Sequence, residues 1–87
     1  MRYSDLYVNR IRSLCSQRGI SINRLATMSG VKQSTLDNIV RGLTANPKVK
    51  TLHKIANAFN MTLSEFLDFD DLNQYSFHEE SPIKSND

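Results

Sequence analysis

One cysteine, two prolines, three glycines and no tryptophan stand among 87 residues. Each scarcity excludes something. With Cys15 alone, the chain can form no internal disulfide and no thiolate metal cluster. Few glycines and prolines argue against a turn-rich β fold and for helices. No long apolar run is present, so no membrane span is expected. The opening Met1-Arg2-Tyr3-Ser4-Asp5 leads into polar-interrupted sequence and not into an apolar signal core, which makes the cytoplasm the expected location. The two histidines, His53 and His78, lie far apart in sequence without partners at metal-ligand spacing, and read as surface residues. There is no glycine-rich phosphate loop, no paired carboxylates at a useful spacing and no Cys–His nucleophile arrangement. An enzyme, a cofactor and a metal are therefore not expected.

What is present is a charge asymmetry inside a modest net charge of +2. Residues 1–67 hold ten Lys and Arg against three acids, a balance of +7. Residues 68–87 hold one lysine against six acids, a balance of −5. A basic body with an acidic tail suits a polyanion partner. A solvated surface rich in Lys and Arg fits the charge equally well, and charge alone leaves both open.

Apolar spacing and end signals predict five helices. In the first, Ser4 is the expected N-cap, and Tyr7, Ile11 and Leu14 recur on one face with Val8 and Cys15 beside them. Gly19 is expected to end it. The second starts at Ser21, turns Ile22, Leu25 and Ala26 inward, and stops near Met28–Ser29 before Gly30. The third covers residues 32–41, with Leu36, Ile39 and Val40 as its apolar side, continued by Leu43. Pro47 resets the chain before a fourth helix over 48–58, whose Val49, Leu52, Ile55, Ala56 and Phe59 are expected to face the core. Thr62-Leu63-Ser64-Glu65 has the spacing of a capping box and predicts a short fifth helix. Residues 1–69 thus form one domain. Beyond Phe69 the pattern fails, and residues 70–87 read as an acidic tail unable to bury a core of its own. That tail is expected to be flexible; folding onto the basic face, or docking through Tyr75 and Phe77, are its other readings.

The stretch Ile22 to Val40 carries the chemistry. Ala26 is small where two helices must approach closely, and Gly30 supplies the positive φ of a very short turn. Val31, Leu36 and Ile39 anchor the third helix, met by Leu25 from the second. This is the pattern of a helix-turn-helix. At 3.6 residues per turn, Gln33, Ser34, Asp37, Asn38 and Arg41 share an arc of roughly 140°, opposite the apolar residues, with Lys32 and Thr35 flanking. The outward face is built of amides and hydroxyls. Gln and Asn pair bidentately with adenine, Ser and Thr serve several bases, and a Thr methyl can meet thymine. A merely solvated face would be richer in Glu and Lys, which form better helix. Asp37 is the odd member: it would repel phosphate, though it can accept from a cytosine amine.

These residues, with Gly19-Ile20-Ser21, Leu25-Ala26, Gly30-Val31-Lys32-Gln33-Ser34-Thr35-Leu36, Arg41-Gly42, Asn46-Pro47, Thr51-Leu52, Lys54-Ile55-Ala56 and Leu63-Ser64-Glu65-Phe66, resemble the helix-turn-helix family of phage repressors and Cro, over about residues 4–69. The resemblance implies an all-α, five-helix lambda-repressor-like domain that binds double-stranded DNA and regulates transcription. It further implies a repressor acting as a homodimer on DNA, with no small-molecule ligand. Aligned with that family, Gln33, Ser34 and Asn38 are the base-reading positions. Ser21, Lys32, Thr35, Arg41, Lys48 and Lys50 are the phosphate-contacting ones, the last two beside a helix N-terminus that itself attracts phosphate. The chain departs from the family at Ile22, where a glutamine commonly braces the third helix, and at Lys32, where many members place a Ser or Thr cap. It departs again at Cys15 and Val40, which stand where the family often pairs an arginine with a glutamate. A protein-interaction module, such as the antitoxin half of a toxin–antitoxin pair, is the alternative reading.

Overall fold

Six α-helices follow one another in the computed structural model, which describes residues 1–78, and no strand occurs among them. They are α1 (Tyr3–Arg18), α2 (Ile22–Ser29), α3 (Gln33–Val40), α4 (Val49–Ala58), α5 (Leu63–Leu67) and α6 (Asp70–Asn73). α1 packs on α2 and α3, α2 on α3 and α4, and α4 on α5. The seven largest fully buried side chains, Leu6, Ile11, Leu25, Leu36, Ile55, Phe59 and Phe66, come from these helices and the α4 C-cap.

Local chemistry sets several helix ends. Ser21 caps α2, its Oγ accepting from the Arg24 N–H at 3.0 Å. Thr62 and Glu65 satisfy each other across the first turn of α5: the Glu65 N–H donates to Thr62 Oγ1 at 3.0 Å, and the Thr62 N–H to Glu65 Oε1 at 2.8 Å. α1 begins two residues earlier than expected. Its N-cap is Arg2, whose N–H donates to Asp5 Oδ2 at 2.9 Å, while Ser4 is buried within the first turn. The acid three residues on, and not the hydroxyl, selects the start.

Between α2 and α3, Gly30 takes φ +74°, and its N–H donates to the Ala26 carbonyl. A Cβ built there would meet nothing within 4 Å. The cost of a side chain is therefore the left-handed backbone alone. Gly30→Ala is expected to lower unfolding free energy by about 1–2 kcal/mol, read from urea denaturation.

Two expected core residues are exposed. Leu43 is 64 % exposed because α3 stops at Val40 and Gly42, at φ +75°, turns the chain off the helix path. Val49 is 65 % exposed at the first position of α4, before the inward stripe of Leu52, Ile55 and Ala56 begins. Ile22 is half-buried against the core.

Asp70–Asn73 form α6, and Tyr75 and Phe77 stack on Tyr3 with ring centroids 5.4 and 5.3 Å away. Tyr3 in turn accepts the Tyr7 hydroxyl at 2.6 Å. Aromatic edges give this part of the acidic segment an anchor that its charge pattern does not advertise. The expectation of a flexible tail, where it concerns residues 79–87, lies outside the described residues.

Three arginines of α1 tie other helices down at their C-terminal ends. Arg12 donates to the Val40 carbonyl, Arg18 to Phe59, and Arg10 to Phe66 and Glu65 at 2.9 and 3.0 Å. A cation at the negative end of a helix satisfies carbonyls left without helical partners. Arg10 also lies over the Phe69 ring, 4.9 Å from its centroid. The charge balance places these arginines on a general basic surface; the fold engages them, still at the surface, in hydrogen bonds to the chain's own carbonyls. Arg10→Ala is expected to cost about 1.5–3 kcal/mol of stability, as for hydrogen bonds to charged groups. Its salt dependence of DNA binding should match the unmodified chain. A slope smaller by about one charge would instead place Arg10 on the nucleic acid.

Candidate nucleic-acid interface

α3 is eight residues long and presents two unlike faces. Leu36, Ile39 and Val40 are buried, at 0, 2 and 5 % exposure. Lys32, Gln33, Ser34, Asn38 and Arg41 are exposed, and Thr35 and Asp37 are half-buried. The helical projection of the sequence matches the folded helix except at Asp37, which is half-buried, and at Leu43, which lies beyond the helix end. The apolar side is pinned to α1 and α2, which leaves the polar side free to meet a partner.

Lys32 is the N-cap of α3 and makes no side-chain cap bond, so its ammonium is not spent on the helix end. Arg41 stands at the other end as the C-cap residue. Cations thus bracket the amide and hydroxyl groups. Ser21 is exposed at the start of α2, its oxygen committed as an acceptor and its hydroxyl proton still available to an anion. Lys48 is the N-cap of α4 and Lys50 lies in its first turn, both exposed beside free backbone N–H groups. α2 packs on both α3 and α4, and so holds together the two elements that carry these cations.

Within the face one contact was not foreseen. Gln33 Nε2 donates to Asp37 Oδ1 at 2.9 Å, four residues on. The i, i+4 spacing that allows it is legible in sequence. The sequence marks Asp37 as a charge and as an acceptor for a cytosine amine; the same spacing also makes it a partner for Gln33.

Cys15 is 5 % exposed in the core cluster, and burial pushes its thiol pKa up, which suits a small packed residue. Val40 shares that cluster at 5 % exposure. Both positions of the ion pair common in phage repressors are thus apolar and buried, an arrangement that need not be less stable than a buried pair. Among the described residues no group of three or more His, Cys, Asp or Glu is placed to hold a metal, and no helix is long and apolar enough to cross a membrane.

A short left-handed turn between two packed helices, the second with a polar outward face bracketed by cations, defines a helix-turn-helix domain. The family model for helix-turn-helix domains (HTH_3) matches residues 11–66. The chain belongs to this helix-turn-helix family. It is 41 % identical over 58 residues to the HTH-type transcriptional regulator SlrR of Bacillus subtilis, covering 67 % of this chain and 38 % of SlrR. It is 42 % identical over 67 residues to an HTH-type transcriptional regulator of Haemophilus influenzae, covering 74 % of this chain and 67 % of that protein. Among solved structures, that of the prophage Lp1 protein 11 superposes with a TM-score of 0.76 at 26 % identity, covering 86 % of this chain and all of that one. The chain therefore spans less than half the length of SlrR, and its likeness lies in the domain described above.

Proposed function

We propose that this chain binds double-stranded DNA sequence-specifically and represses transcription in the cytoplasm, as a homodimer with one α3 in each of two successive major grooves. The single observation that carries the reading is the outward face of α3, where Gln33, Ser34 and Asn38 stand exposed between Lys32 and Arg41. Gln33, Ser34 and Asn38 contact base edges. Ser21, Lys32, Thr35, Arg41, Lys48 and Lys50 contact phosphates. Half-sites should then lie about 34 Å apart, one turn of the duplex. No small-molecule ligand enters this reading.

Salt dependence tests it. With the four cations Lys32, Arg41, Lys48 and Lys50 on phosphates in each subunit, log K against log salt should fall with a slope of roughly −3 to −4 per subunit. Arg41→Ala and Lys48→Ala should each reduce that slope by about 1, whatever the duplex sequence. A flat response in the unmodified chain contradicts the proposal.

A further inference from the structure

We infer that Asp37 is a positioning residue for base recognition, setting the orientation of the Gln33 amide before DNA arrives so that this side chain prefers adenine over guanine. The inference rests on the reading of α3 as the helix that enters the groove.

The geometry is a single hydrogen bond, Gln33 Nε2–H to Asp37 Oδ1 at 2.9 Å, on the exposed side of α3. An ionised carboxylate only accepts. If the Gln33 amide turned over, Oε1 would face Asp37, oxygen against oxygen with no proton between them. Asp37 therefore admits one of the two amide orientations. In that orientation one Nε2–H is spent on Asp37, while the second Nε2–H and Oε1 remain. Those are the donor and the acceptor that adenine asks for, at N7 and at its N6 amine. Guanine presents two acceptors, N7 and O6, in the same place, and O6 would meet Oε1 unpaired. A free glutamine has both orientations and several rotamers open, and pays their entropy on binding. Asp37 removes part of that cost in advance. It also accounts for an acid on a face built to approach phosphates: its charge weakens attraction to any duplex while sharpening choice among duplexes.

Asp37 is half-buried and its partner exposed, so replacing it leaves the core of α3 in place. Binding sites are selected from random duplex DNA with the full chain and with Asp37→Ala, Asp37→Asn, Gln33→Ala and the Gln33→Ala/Asp37→Ala double variant, and circular dichroism verifies the helical content of each. Gln33→Ala identifies the base pair that Gln33 reads. At that pair, Asp37→Ala is expected to lower the adenine-over-guanine preference by about 3- to 10-fold, the range of a side chain's lost ordering. Asp37→Asn, which can donate as well as accept, should lower it as well. Affinity for unrelated duplex should rise about 2- to 5-fold in both, because a negative charge has gone. In the double variant the preference should be no lower than in Gln33→Ala alone, since Asp37 acts through Gln33. The inference is overturned if Asp37→Ala leaves that preference intact. It is overturned equally if Asp37→Ala removes a cytosine preference at a pair that Gln33→Ala does not touch, which would make Asp37 a direct reader. If the unmodified chain selects no motif at all, the reading of α3 falls, and this inference with it.

Discussion

Gln33→Ala combined with Asn38→Ala is expected to remove most of the discrimination between a selected DNA site and a scrambled duplex, leaving what Ser34 contributes. Each well-formed bidentate contact to a base is worth about 1–3 kcal/mol of discrimination, so two lost together lower affinity for the selected site by roughly 30-fold or more. Affinity for scrambled duplex should change little, because neither side chain carries charge and phosphate attraction is sequence-independent. Both residues are exposed on α3, so thermal unfolding should be close to that of the unmodified chain. Fluorescence anisotropy with the two duplexes, at one fixed salt concentration, measures the ratio. Equal losses on both duplexes would mean that these amides contribute to docking and not to reading.

The second large effect lies directly beneath them. Leu36 is wholly buried, in the middle of α3 and facing the core. Leu36→Ala should cost about 2–5 kcal/mol through lost burial and the cavity left behind. Small domains hold roughly 5–15 kcal/mol in total, so this is a large share of the whole. Urea denaturation should show a strongly lowered midpoint with an unchanged slope. DNA binding should then fall in proportion to the folded fraction and recover when the temperature is lowered toward the stability maximum. A variant that remains fully folded yet loses binding would contradict the view that Leu36 serves only to pin the helix.

How much of this was legible before folding depends on the range of each interaction. The caps at Ser21 and Thr62–Glu65 and the left-handed stops at Gly19 and Gly30 are settled within a few residues, and sequence reading places them correctly. The two faces of α3 are equally local, since helical periodicity alone separates Gln33, Ser34 and Asn38 from Leu36 and Ile39. Contacts between distant segments were out of reach. Nothing in the spacing of Arg10 points to the carbonyls of Glu65 and Phe66, 55 and 56 residues away. The contact of Tyr75 and Phe77 with Tyr3 is likewise a tertiary event, made by ring edges while Phe77 stays exposed. Ser4 and Val49 show a third case. Both have the right type for the role expected of them, yet a competing cap in one case and the direction of the first helical turn in the other decide differently.

The proposed groove-facing surface is the exposed side of α3, and NMR examines that surface directly. In a titration of the uniformly 15N-labelled chain with a duplex carrying the selected site, the largest shift changes should fall on the side-chain amides of Gln33 and Asn38. The backbone amides of Ser21, Lys32, Ser34, Arg41, Lys48 and Lys50 should follow, while Glu65, Phe66 and residues 70–77 stay in place. Largest changes on α5, α6 or the Tyr3–Tyr75–Phe77 cluster, with α3 unmoved, would contradict the account.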